Sequence, residues 1–174
     1  MINIEKITTE YSEVEDRIRM SALTSDDTVM ILWVTRRMLL MLIPPVSEWL
    51  DEKKNTSSQM SEKSKEMMND FAQSEAQAKL KAEKPVTPEK QRPQAGEPIN
   101  SWLIHEIDVK HSNELMELYF KSTQNDVAKL ILTKLSARQW LSIVHSQWIK
   151  SEWLMDIWPS WFTQASFHSE ADIH

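Results

Sequence analysis

Large apolar side chains concentrate in two stretches of the chain, 1–52 and 99–162, separated by a polar segment, 53–98. In the first stretch Ile18, Met20 and Ala22 alternate with Arg17, Arg19 and Ser21. A period of two places one face of a strand in a core and the other in water, so the pattern predicts a strand over Asp16–Leu23. A second strand, Ile2–Tyr11, precedes it, and a β-branched and aromatic run, Thr28–Thr35, reads as a buried strand. Thr24-Ser25-Asp26-Asp27 is turn chemistry, because Ser and Asp side chains bond nearby backbone and Asp tolerates the left-handed region. Thr35 can then cap a helix from Arg36 to about Asp51, with Met38, Leu39, Leu42, Val46 and Trp49-Leu50 on its apolar side. Pro44 and Pro45 fall inside that helix and predict a kink or break, since each removes a donor and crowds the preceding turn.

The second stretch repeats the plan. Strands are predicted over Trp102–Val109, Glu114–Lys121 (Met116, Leu118 and Phe120 on one face) and Val127–Leu135, with a turn at Ser122–Asp126. Ser136-Ala137-Arg138-Gln139 fits a capping box, opening a helix from Ala137 to about Met155 that carries Trp140, Leu141, Val144 and Trp148. A slide of 98 residues lays Glu15–Met20 on Asn113–Leu118, Ser25–Val29 on Thr123–Val127 and Leu32–Arg36 on Leu130–Lys134. A one-residue slip then brings Trp49-Leu50 onto Trp148-Ile149. The expected fold is therefore α+β: two similar βββα halves forming antiparallel sheet or sheets covered by helices, related by a pseudo-twofold and together one composite domain. This order of elements is similar to that of PUR-type repeat and Whirly-type single-stranded-DNA-binding proteins. The likeness is one of architecture, and no motif in the residues assigns the chain to either family.

The intervening segment divides in two. Gln59–Lys84 is rich in good helix formers and free of Pro and Gly, which predicts a polar helix over about 59–84. Met60, Met67, Phe71 and, less regularly, Met68 give it a thin apolar stripe, which either rests on the core or docks a partner. Pro85, Pro88, Pro93 and Pro98 make the following stretch an extended connector. Residues 163–174 read as a flexible tail.

Composition narrows the chemistry. Among 174 residues there is one glycine, Gly96, and no cysteine. A P-loop, a dinucleotide-binding turn, a nucleophile elbow and an EF-hand each need several glycines, so none can be written here. Disulfides, thiolate metal sites and thiol catalysis are excluded as well. The formal net charge of −6 speaks mildly against a duplex nucleic-acid binder. Residues 1–17 hold no apolar signal core. The longest apolar tract, Val29–Val46, is interrupted by Arg36-Arg37 and Pro44-Pro45, so no membrane span and a cytoplasmic location are expected.

Five of the eight tryptophans follow Gln139. Trp153, Trp158, Trp161 and Phe162 lie past the expected helix, where they either close the core as a hydrophobic flap or form an aromatic partner-binding surface. Base stacking is a third use, but only Lys150 stands near them, against Glu152 and Asp156. Arg17, Arg19, Arg36, Arg37 and Lys134 either pair with acids such as Glu13, Glu15 and Asp16 or contact an anion or nucleic acid. His105 and His111 are too far apart along a strand for one metal, unless a turn between them closes the gap with Asp108 assisting. His145 is expected to be a core histidine. No catalytic residue, metal or cofactor is called for. The sequence thus points to a non-enzymatic interaction or scaffold module that binds a protein partner or itself, with single-stranded nucleic-acid binding on a sheet face as the alternative.

Overall fold

Among the described residues the period-two alternation becomes seven strands. In a computed structural model that describes residues 1–51, 61–82 and 100–162, the elements are β1 (Ile2–Ser12), β2 (Arg17–Thr24), β3 (Val29–Val34), α1 (Arg36–Leu50), α2 (Glu62–Ala82), β4 (Asn100–Leu103), β5 (Glu106–His111), β6 (Leu115–Lys121), β7 (Val127–Thr133) and α3 (Lys134–Lys150). The class is α+β, as expected. The proline-rich connector, Met60 and residues 163–174 lie outside the described residues.

All seven strands join one sheet in the order β4-β3-β2-β1-β7-β6-β5. The two edge strands, β4 and β5, are separated in the chain only by Ile104 and His105. The Ile104 N–H donates to the Trp33 carbonyl at 2.9 Å, and the His105 N–H donates to the Lys121 carbonyl at 2.9 Å. Successive amides therefore bond to strands from opposite ends of the order, and the sheet curls until its edges meet. Curling of this kind leaves little open edge for pairing with another chain.

β1 is shared in a comparable way. Ile2–Ile4 pairs in parallel with Ala128–Leu130, and the rest of the strand pairs antiparallel with β2 after a register shift between Ile4 and Lys6. A bulge of one residue changes which positions face inward. Ile4 is buried before it, and Ile7, Thr9 and Tyr11 turn inward after it. One core results, filled by Met20 of β2, Leu32 of β3, Leu118 and Phe120 of β6 and Leu130 of β7. Ile43 and Leu50 of α1 and Trp140, Leu141 and Trp148 of α3 complete it, so both apolar stretches feed the same cluster.

Three local expectations are corrected. Of the kink or break expected at Pro44 and Pro45, the break does not occur: α1 is continuous from Arg36 to Leu50, and both prolines are exposed, so the carbonyls left without a donor can face water. The cap of α3 lies one turn earlier than the Ser136–Gln139 box. Thr133 is the last residue with extended backbone; its Oγ1 accepts the Ser136 N–H at 3.2 Å, while Ser136 Oγ accepts the Thr133 N–H at 2.8 Å. The helix also stops at Lys150, before Met155. With one glycine in the chain, left-handed positions fall to Asp16, Asp27, Asn125 and Glu152, with φ of 47°, 59°, 67° and 57°.

Closure at Ile104 carries a stability cost when disturbed. Ile104 is 2% exposed and its neighbour Leu103 is 43% exposed. Ile104→Ala is expected to lower unfolding free energy in urea by about 2–4 kcal/mol, and Leu103→Ala by under about 1 kcal/mol. Equal effects would show that the junction is not a core position.

Candidate interaction surfaces

The C-terminal aromatics form no surface. Trp153, Trp158, Trp161 and Phe162 are 7%, 7%, 5% and 0% exposed and belong to the core cluster, which corrects the reading of them as a partner-binding patch. The physical reason lies on α3, whose outward rings they cover. Trp153 stacks edge-on against Trp148 and Tyr11, with centroids 4.9 and 5.6 Å away, and Trp158 meets His145 at 4.7 Å. Polar tips are held too: Trp148 Nε1 donates to the Leu154 carbonyl at 2.9 Å and Trp153 Nε1 to Asp16 Oδ1 at 3.2 Å. The same Asp16 oxygen accepts the Tyr11 hydroxyl at 2.8 Å, which raises the Tyr11 phenol above its ordinary value. The segment after α3 is thus the hydrophobic flap, tied to the β1–β2 hairpin.

The predicted cations are spread over several elements. Arg17 and Arg19 lie on β2 at the face turned from Ile18 and Met20, and Arg19 pairs with Glu10 at 2.5 Å. Arg36 opens α1 with its guanidinium 5.9 Å from the Trp153 ring centroid. Lys134 opens α3, and exposed Arg37 lines a cleft of about 400 Å³ with Met38, Met41, Leu42, His105 and Ile107. Lysines that sequence reasoning passed over are engaged as well. Lys121 meets Glu106 and Asp108 at 2.6 and 2.7 Å, and Lys129 meets Glu117 at 2.6 Å. These contacts hold the two carboxylates and two lysines in their charged forms: Asp108 and Glu117 are lowered, and Lys121 and Lys129 are raised.

Helix α2 packs through its polar side. Its buried residues are Lys65, Asn69, Gln73 and Ala76, which follow one another at helical spacing along the side facing α3. Asn69 Nδ2 donates to Asp51 Oδ1 at 2.6 Å, and Gln73 Nε2 donates to Ser142 Oγ at 2.8 Å and the Arg138 carbonyl at 3.3 Å. Arg138, 3% exposed, donates from Nη2 to the Leu50 carbonyl at 2.8 Å and to Asn69 Oδ1 at 3.3 Å. Of the two uses left open for the apolar stripe, it does not rest on the core: Met67 is 64%, Met68 41% and Phe71 69% exposed. Lys65, Asn69 and Gln73 are the residues that sequence reasoning missed. Their spacing was the available signal, but polar residues at that spacing ordinarily mark the wet side of a helix.

Among the described residues no His, Asp and Glu group could hold a metal ion, and no helix is long and apolar enough to cross a membrane. No protein family, curated protein or solved structure was found to match the chain.

His145 is the titratable group set most firmly among the aromatics. It is 6% exposed, with its ring 4.7 Å from Trp158 and 4.9 Å from Phe162. Burial lowers its pKa from 6.5 to about 4. The unfolded chain therefore binds a proton that the folded chain refuses, and stability falls as pH drops below 6.5, the loss being complete below about 4. Urea midpoints compared at pH 7 and pH 4.5 should fall further for the wild type than for His145→Leu. An equal or larger fall in the variant would mean that His145 is charged in the folded state.

Proposed function

We propose that the chain is a non-enzymatic protein-interaction module whose contact surface is the outward row of α2. The observation that supports this most directly is the inverted polarity of the helix. Burying Met67, Met68 and Phe71 and exposing Lys65, Asn69 and Gln73 would be the ordinary way to dock a helix on a core. Instead, polar side chains matched to Arg138 and Ser142 hold the helix, and large apolar groups face out. Such a patch costs solubility when nothing covers it, and methionine and aromatic side chains are well suited to adaptable protein contacts.

The scaffold beneath we read as two βββα halves related by a pseudo-twofold. Shifted by 98 positions, the parallel pairs Ile2↔Ala128 to Ile4↔Leu130 become Asn100↔Met30 to Trp102↔Leu32, which are the β4–β3 pairs. The same shift carries the Thr24–Thr28 turn onto Ser122–Asp126, the left-handed Asp27 onto Asn125 and the cap Thr35 onto Thr133. Each helix also bonds to the other half's first strand or its end. Trp49 Nε1 donates to the Ser112 carbonyl at 2.7 Å just past β5, and Trp140 Nε1 donates to Thr9 Oγ1 on β1 at 3.2 Å. On this reading α2 and the C-terminal flap are single-copy additions to a duplicated frame, and what is particular to this protein belongs to them.

A photo-crosslinking residue placed at position 71 in cells of the native host tests the reading. One discrete protein adduct is expected there, with none from the same residue at position 14, where Val14 is 94% exposed on the β1–β2 hairpin. No adduct at 71, or the same products from both sites, would count against it.

A further inference from the structure

The exposed face of α2 carries a row at four-residue spacing: Lys63, Met67, Phe71 and Glu75. Residues four apart lie along one ridge of a helix surface. The row has apolar groups in the middle and opposite charges at its ends. Run antiparallel to itself, it is complementary at every position: Lys63 meets Glu75, Met67 meets Phe71, and each contact occurs twice. We propose that the occupant of this face is a second copy of the chain, joined through an antiparallel, two-fold α2–α2 contact. The inference rests on the reading of α2 as the contact surface and names its partner.

The geometry suits an isologous pair. A two-fold axis passing beside Asn69 puts Met67 and Phe71 of one copy across from Phe71 and Met67 of the other, while Asn69 itself stays turned to α3. Glu75 lies 2.8 Å from Lys79 on its own helix, with both side chains about half exposed. A solvated contact of that kind holds a carboxylate weakly, so Glu75 is available to a Lys63 arriving from the second copy. The polar anchoring of the opposite face also matters, because a helix fixed at Asn69 and Gln73 presents the row without first being ordered. Four side chains per copy make a small interface, so the dimer is a weak, concentration-dependent one.

Sedimentation velocity of the purified full-length chain over a range of concentrations tests this. A monomer–dimer equilibrium is expected, abolished by Phe71→Asp. Lys63→Glu and Glu75→Lys alone should each weaken it about tenfold, since each places like charges opposite one another twice. Mixed in equal amounts, those two variants should associate again, because each then supplies the charge that the other lacks, and the double swap in one chain should do the same. All substituted positions are solvent-exposed, and circular dichroism of each variant reports whether the fold is kept. A chain monomeric at every concentration, or a dimer indifferent to Phe71→Asp and to the charge swaps, overturns the inference. If the purified chain stays monomeric while position 71 crosslinks to a different protein in cells, the self-contact fails and the interaction-module reading stands. A monomer with no adduct at 71 defeats both.

Discussion

A buried guanidinium organises this molecule. Arg138 sits on α3, almost wholly shielded, and reaches the last carbonyl of α1 at Leu50, the amide oxygen of Asn69 on α2 and the ring of Trp161, whose centroid is 5.1 Å away. A charge taken out of water is tolerated only where hydrogen bonds replace its hydration. Three separate parts of the chain must therefore converge on one point: the end of the first helix, the face of the second, and the C-terminal segment. The orientation of α2 follows. With Asn69 turned inward to Arg138, Gln73 follows one turn later, and Met67 and Phe71 are left on the opposite side.

The curled sheet supplies the platform. Because β4 and β5 are joined by two residues yet stand at opposite ends of the strand order, the sheet must wrap, and the bulge in β1 gives the bend that lets one strand serve two neighbours. The wrap brings the two helices that cover it together, so that Leu50 at the end of α1 lies beside Arg138 on α3. Aromatic contacts around His145 and Trp148 then seal the far side of α3.

Much of the frame could be read along the chain, because alternation over Ile18–Ala22 or Met116–Phe120 has a direct meaning for a half-buried strand. The pairing of edges was not readable, since contacts between β4 and β3 join residues far apart in sequence and carry no local pattern. α2 was legible as a helix but not in its orientation. Hydrophobic spacing at Met67 and Phe71 left open whether the stripe rests on the core or faces outward to a partner, and the position of Arg138 in space turns it outward. The C-terminal tryptophans were equally ambiguous. Trp153, Trp158 and Trp161 follow no helical or strand period; rings on α3 cover the first two, and Trp161 packs against Phe162 and the Arg138 guanidinium.

The central claim is that a polar anchor at Arg138 fixes α2 with its apolar row outward. Native-state hydrogen exchange, followed by mass spectrometry in the wild type and in Arg138→Leu, tests it most directly. The α2 amides around Asn69 and Gln73 should be protected in the wild type. In the variant that protection should fall by at least about tenfold, while the amides of β2 and β6 exchange at rates closer to those of the wild type. An α2 that exchanges freely in the wild type, or keeps its protection without Arg138, would contradict the account.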